Sequence, residues 1–252
     1  MGRYNKRDSP ITLEEHMYFT DMCHEMCTPL TTISGVSQIL YNTSCTPEQQ
    51  RRYAEILHDS SLQLEELIQK VLESWYLESG IIKLSNNPLD LMHEIEKIVH
   101  IVTPQIEKKN LKFYVHIEPF HHLLVGDALR LRQIVLNLLS NAIKFTDKGY
   151  VKLDVCALPN AIGGWHLHIK VSDTGIGIAP ERLSQVFGRY VQASETTYQK
   201  YGGAGLGLNI CRSLAKMMDG DILVSSQLGK GSCFTAALNF ADASDLQLQT
   251  PA

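Results

Sequence analysis

Apolar positions Leu30, Ile33, Val36 and Leu40 recur at spacings of three and four inside a stretch from Ile11 to Tyr41 whose only glycine is Gly35. That pattern predicts one long helix with a single apolar stripe. A break at Asn42-Thr43-Ser44-Cys45 is followed by Thr46-Pro47-Glu48-Gln49. The second tetrad reads as an N-cap, a proline at the first helical position and a glutamine that closes a capping box, so a second long helix starts there. Within it Leu57, Leu64 and Val71 fall seven apart, with Tyr53, Leu67 or Ile68, and Trp75 between them, the seam of a coiled-coil-like helix. Two helices of roughly thirty residues joined by a short turn form a hairpin too thin to bury both stripes, and the economical solution is a dimeric four-helix bundle.

Past Ser79-Gly80 the periodicity changes. Ile81 to Ser85 reads as a short strand and Asn86-Asn87-Pro88 as a turn. Asp90 is placed to cap a helix running to about Lys109, Leu111 to Glu118 alternates like a strand, and Asp127 caps a helix through Lys144. Two strand-like runs follow, Tyr150 to Leu158 and Trp165 to Ser172, then a glycine-bearing region from Asp173 to Gly207. A helix from about Leu206 to Met218 and strands Asp221 to Ser226 and Ser232 to Phe240 complete the pattern. Helices and strands are interspersed without regular βαβ alternation. The expected fold class is therefore an α+β multidomain chain: an N-terminal two-helix hairpin forming the dimeric bundle, then an α/β sandwich on a mixed sheet. The expected boundaries are an extension at 1–10, the hairpin domain at 11–79, the sandwich at 80–240 and a frayed tail at 241–252.

Composition changes this picture little. The 252 residues are 44% hydrophobic and 20% charged, and Lys+Arg of 23 against Asp+Glu of 27 leaves −4. Disordered, collagen-like and solenoid chains are disfavoured, and the length suits one large domain or two small ones. A pI near 6.2 without a basic block gives no footprint for nucleic acid. The six cysteines (23, 27, 45, 156, 211 and 233) form no CxxC pair, which suits reduced thiols and a cytoplasmic location. No stretch approaches the ~18 consecutive apolar residues of a membrane span, and the first residues are polar. No membrane contact is expected of this chain, although a parent protein could be membrane-anchored.

Three constellations carry chemistry. In His24-Glu25-Met26-Cys27-Thr28-Pro29-Leu30, the proline removes a backbone donor and crowds the Glu25 carbonyl, so the helix is expected to bend or loosen beside His24. His24 and Thr28 share a helix face, and a neighbouring carboxylate that takes the proton of one imidazole nitrogen makes the other a better nucleophile toward phosphorus. Cys23 and Cys27 flank His24, but no nearby lysine or arginine lowers a thiol pKa, so indifferent side chains are expected rather than a redox switch. Second, Asn137, Asn141 and Lys144 fall at i, i+4 and i+7 on one helical stripe. Amide oxygens suit a hard cation such as Mg²⁺ and the lysine suits phosphate. Third, Asp173-Thr174-Gly175-Ile176-Gly177-Ile178 follows a hydrophobic strand, and Gly202-Gly203-Ala204-Gly205-Leu206-Gly207-Leu208 opens a helix. A strand-end carboxylate can accept from an exocyclic amine, and helix-start N–H groups bind phosphate. The polar stretch from about Gly188 to Gly202 suits a lid over a nucleotide. His121-His122 and His166 with His168 are expected to be strand-surface residues, not metal ligands.

Together these motifs resemble the transmitter core of a two-component sensor histidine kinase over nearly all residues from about 11 to 240. The H box of that family resembles His24 to Leu30, its N box Leu131-Arg132-Gln133 through Phe145-Thr146, its G boxes Asp173 to Gly177 and Gly203 to Gly207, and its F box Val186-Phe187-Gly188-Arg189-Tyr190-Val191-Gln192-Ala193. The resemblance implies a dimerisation and phosphotransfer hairpin followed by a Bergerat-type domain that binds ATP. It implies His24 as phosphoacceptor, Glu25 as general base and Thr28 as the residue that orients water for dephosphorylating a regulator. It also implies Asn141 with Asn137 as the Mg²⁺ site, Lys144 as a phosphate contact and Asp173 as the adenine reader. The glycines Gly175, Gly177, Gly203, Gly205 and Gly207, with Leu208, would shape the nucleotide site. The implied partners are a second copy, making a homodimer, and a response regulator receiver domain in trans.

Several positions depart from that family's wording. Met26 and Cys27 stand where leucine and arginine are usual, Gly188 and Tyr190 where an acid and phenylalanine are common, and Ala204 replaces a frequent threonine. None is a residue the chemistry strictly requires. They motivate an alternative in which the chain is a catalytically weak nucleotide-binding module that acts by heterodimerisation or by regulator dephosphorylation. No sensor is expected upstream of residue 11 and no receiver after Phe240. Other ATPases of the same nucleotide fold, such as type II topoisomerases and mismatch-repair proteins, leave His24 on a dimerising hairpin without a role.

Overall fold

The computed structural model describes residues 13–161, 163–188 and 205–244, and the chain divides into two compact units, Met1–Glu73 and Ser74–Ala252. Residues 1–12, the stretch 189–204 with Gly203 and most of the F box, and the tail from 245 lie outside the described residues.

The first unit holds α1 (Leu13–Asn42) and most of α2 (Pro47–Glu78). The capping box closes as its sequence predicts: the Gln49 N–H donates to Thr46 Oγ1 at 3.3 Å, and the Thr46 N–H to Gln49 Oε1 at 3.0 Å. The helix α1 runs through Pro29 without a break. Flanking threonine hydroxyls bond backward along it, Thr28 Oγ1 to the His24 carbonyl and Thr32 Oγ1 to the Thr28 carbonyl, each at 3.1 Å. Within one chain Val36 is buried, while Leu30, Ile39, Leu62, Ile68 and Leu72 remain exposed.

The second unit is a seven-stranded mixed sheet with helices. In chain order its elements are β1 (Asn87–Asp90), α3 (Leu91–Lys108), β2 (Lys112–Ile117), β3 (Leu123–Gly126), α4 (Ala128–Phe145), β4 (Tyr150–Pro159), β5 (Trp165–Asp173), α5 (Pro180–Leu183), α6 (Gly207–Met217), β6 (Asp221–Gln227) and β7 (Gly231–Asp242). The order across the sheet is β1-β3-β7-β5-β4-β2, with β6 also paired to β7; β2 and β4 run parallel and the other pairs antiparallel. Asp90 and Asp127 cap α3 and α4 by accepting from the N–H groups of His93 and Arg130. Alternating β4 and β5 residues, Val151, Leu153, Val155, Leu167, Ile169 and Val171, form one buried face with Ile95, Ile98, Leu131, Ile134, Leu138 and Leu214 from the helices. Each such side chain contributes roughly 1.5–3 kcal/mol on burial.

Three expectations change. Ile81 to Ser85 forms no strand, and the expected turn at Asn86-Asn87-Pro88 instead enters β1, an edge strand where proline's missing N–H is tolerated. Its partner β3 is a strand absent from the periodic reading. Ala241 and Asp242, expected in a frayed tail, instead extend β7 and pair with Val125 and Leu124.

Candidate functional site

The site in the second unit is assembled from α4, the loop after β5, the β6–β7 turn and the start of α6. Burial of Leu131, Ile134, Val135, Leu138, Leu139, Ala142 and Ile143 orients α4, which leaves Asn137, Asn141 and Lys144 half-buried along its other side. Asn141 Nδ2 donates to Asn137 Oδ1 at 3.0 Å, so the two amides are held as a pair.

Asp173 ends β5. Its Oδ1 accepts from the Gly175 N–H at 2.8 Å and the Ser232 N–H at 3.3 Å, and among the described residues no hydrogen bond is made to Oδ2. Burial raises the Asp173 carboxyl above the usual aspartate range, and these two backbone donors only partly offset it. A partly dehydrated carboxylate with one oxygen anchored and the other open is suited to accept from an amine.

The β6–β7 turn locks this loop in place. The Gly229 N–H donates to the Ile176 carbonyl at 2.7 Å, and the Ile178 N–H donates to Ser226 Oγ at 2.8 Å. Gly231 has φ +109°, and a Cβ there would strike the Asp173 carbonyl, so only glycine fits both conformation and space. The sequence reading missed Ser226 and Gly229-Lys230-Gly231-Ser232 as parts of the site; the glycine pair between two strands signals a turn, while its approach to Asp173 is tertiary.

The start of α6 meets the amide stripe directly: a Cβ on Gly207 would fall 2.6 Å from Asn137 Nδ2. Among the described residues no side chain caps that helix, so its first N–H groups, beginning beside the Asn137 amide, have no side-chain acceptor there. Gly175, Gly177, Gly205, Gly207 and Leu208 therefore lie on the elements that build the site, and Gly203 is outside the described residues. At the edge of the site Phe187 packs edge-on to Phe234 and under the Arg212 guanidinium, 4.8 Å from the ring centre, while Asn209 Nδ2 donates to its carbonyl at 3.0 Å. Arg212 in turn forms a two-pronged pair with Asp221 at 2.7 and 2.9 Å, which holds the Asp221 carboxyl below its usual range.

In the first unit His24 and Thr28 are exposed one turn apart on α1, Cys23 and Cys27 are exposed beside them, and Glu25 is buried. His122 Nδ1 lies 3.1 Å from Asp242 Oδ2 beside Trp165, and among the described residues no group of three His, Cys, Asp or Glu side chains converges on a metal position. No described helix is long and apolar enough to cross a membrane.

Comparison with known proteins matches both units. A model of the His Kinase A phospho-acceptor domain covers residues 16–80, and one of the histidine kinase-, DNA gyrase B- and HSP90-like ATPases covers residues 126–242. The aerobic respiration control sensor protein ArcB of Escherichia coli K12 is 34% identical over 94% of this chain, which corresponds to 30% of that protein's length. Hybrid signal transduction histidine kinase L of Dictyostelium discoideum is 35% identical over 87% of this chain and 13% of its own length. The chain thus spans less than a third of these curated relatives. Among solved structures, full-length ShkA in complex with AMPPNP superposes with a TM-score of 0.68 at 31% identity, covering 90% of this chain and 46% of that one. The Acinetobacter baumannii histidine kinase AdeS shares the fold, with a TM-score of 0.63 at 21% identity over 85% of this chain and 96% of its own.

Proposed function

Because the chain belongs to the sensor histidine kinases and carries their transmitter core, we propose that it uses ATP to phosphorylate its own His24 and passes the phosphoryl group to an aspartate on the receiver domain of a response regulator. The observation that carries this reading is the meeting of three binding chemistries in one place: the open Asp173 oxygen, the start of α6, and the amide pair against which Gly207 is packed. ATP fits this set. Asp173 would accept from the adenine amine, and helix-start N–H groups with Lys144 would meet the phosphates. AMPPNP, held by the similar ShkA, supports the same ligand class. The donor set also fits Mg²⁺: Asn137 and Asn141 offer hard, neutral amide oxygens, and bridging phosphates would complete the shell. Once bound, the ion would neutralise charge on the transferring group.

In the reaction an imidazole nitrogen of His24 attacks the γ-phosphorus, a new N–P bond forms, the bond to the β-phosphate oxygen breaks, and ADP leaves. His24 is exposed, as a nucleophile that must meet ATP and then a receiver requires. We assign Glu25 as acceptor of the imidazole proton, and Thr28, one turn away on the exposed surface, as the group that orients water when the chain dephosphorylates its regulator. The exposed apolar residues of the first unit support a homodimer, whose second copy would cover them. Transfer is tested by loading the chain with Mg-ATP, removing the nucleotide and adding isolated receiver domains. Phosphate is expected to move from a histidine peptide containing His24 to a receiver aspartate. Retention of the label on the chain with every receiver tested would contradict the transfer step.

A further inference from the structure

The helix α3 ends in a Schellman motif. Asn110 takes a left-handed conformation at φ +54°, its N–H donates to the Glu107 carbonyl at 2.9 Å, and the Leu111 N–H donates to the Ile106 carbonyl at 3.1 Å. Buried Ile106 and Leu111 supply the apolar contact that accompanies such a turn. This geometry fixes Lys109 at the C-cap of α3, and its side chain crosses to the end of α4. There Lys109 Nζ donates to three carbonyls, Ile143 at 2.7 Å, Lys144 at 2.9 Å and Thr146 at 3.3 Å.

The terminal carbonyls of α4 are thereby all accounted for. Ala142 accepts from Thr146 Oγ1 at 2.7 Å, Ile143, Lys144 and Thr146 accept from Lys109, and Phe145 accepts from the Ile176 N–H at 3.3 Å. The last bond ties the end of α4 to the loop that follows Asp173. One ammonium therefore secures the backbone carrying Lys144, and it secures the turn whose next carbonyl holds the Asp173 loop. It also places a positive charge against the negative end of the α4 dipole.

We propose that Lys109 is a positioning residue for nucleotide binding, holding the Asn141–Lys144 end of α4 and the Asp173–Ile178 loop in register without touching the ligand. The assignment rests on the nucleotide reading of the site. Three converging carbonyls suit a tetrahedral ammonium with three donors, a demand that an uncharged side chain does not meet. Loss of Lys109 is expected to loosen both walls of the site at once.

The test compares wild type with Lys109→Met and with Lys108→Met, which removes a neighbouring charge from the last turn of the same helix. ATP affinity is measured by titration calorimetry below every variant's melting temperature. Amide exchange at Ile176 is followed in the nucleotide-free protein. Lys109→Met is expected to weaken ATP binding about tenfold, in line with loss of a charged hydrogen-bond set, and to speed Ile176 exchange relative to the β5 core, while Lys108→Met changes neither. If Lys109→Met does not fold, Lys109→Gln, which retains two N–H donors on a shorter stem, is read the same way. Wild-type affinity and unchanged Ile176 exchange in the variant, with only a lower melting temperature, would overturn the assignment. If the wild type itself binds no ATP, the nucleotide reading fails and takes this assignment with it; if wild type and Lys109→Met bind equally, Lys109 alone is misassigned.

Discussion

Asp173 shows how one residue sets the balance between stability and function. Folding raises its carboxyl through burial, so the folded state holds that proton more tightly than the unfolded chain does. The stability from this group is full below the unfolded value of about 3.9 and is lost as pH rises through the higher folded value. Ionised Asp173 therefore costs stability at neutral pH, which fits the binding role proposed for it. Asp173→Asn is expected to leave the melting temperature at pH 7 unchanged or slightly higher, yet to weaken ATP by roughly 10- to 150-fold, the range for a charged hydrogen bond. Calorimetric titration and a thermal scan of the same sample check both. Wild-type affinity is also expected to fall on acidification with a midpoint above that of ordinary aspartate. Asp173 was legible in the sequence because a carboxylate between a hydrophobic strand and a glycine pair has few structural uses. Ser226, Gly231 and Ser232 were not, because their roles depend on contacts to Ile178 and Asp173, between 48 and 59 residues away along the chain.

At the scale of elements, α4 separates its two tasks by face. Leu138 is fully buried, whereas Asn137 and Asn141 beside it are half-buried on the stripe proposed to bind the nucleotide. Leu138→Ala is expected to cost about 2–5 kcal/mol of stability through the cavity it leaves. Asn141→Ala is expected to leave thermal stability nearly unchanged while abolishing Mg²⁺-dependent nucleotide affinity. Denaturant unfolding and metal titration of the two variants check the contrast, and equal stability losses would show that the faces are not so divided. The long elements were readable because each carries its own period and cap: Asp90 and Asp127 stand immediately before apolar runs, and Thr46 with Gln49 forms a reciprocal box. The short ribbon of β1 and β3 was not. Four residues such as Leu123–Gly126 are too few to establish an alternation, and Pro88 looks like a turn until its edge position is known.

For the whole molecule, the proposed reading divides the chemistry between the exposed His24 of the first unit and a nucleotide site in the second, so phosphorylation is expected to need both. In the proposed homodimer, burial of the first unit's exposed leucines and isoleucines would supply the driving force. Light scattering is expected to show two chains per particle, and Leu64→Asp on the α2 seam is expected to give a monomer. A monomeric wild type at every concentration would contradict the dimer. The expectation of a dimer rests on the heptad of Leu57, Leu64 and Val71, because a two-helix hairpin is too thin to bury that seam alone. The central claim, that His24 takes the γ-phosphoryl of ATP bound beside Asp173, is tested most directly by incubating wild type, His24→Gln and Asp173→Asn with γ-labelled ATP and Mg²⁺. Wild type is expected to acquire label that is lost in acid and stable in base, and both variants to acquire essentially none. Equal labelling of His24→Gln, or label in wild type that survives acid, would contradict it.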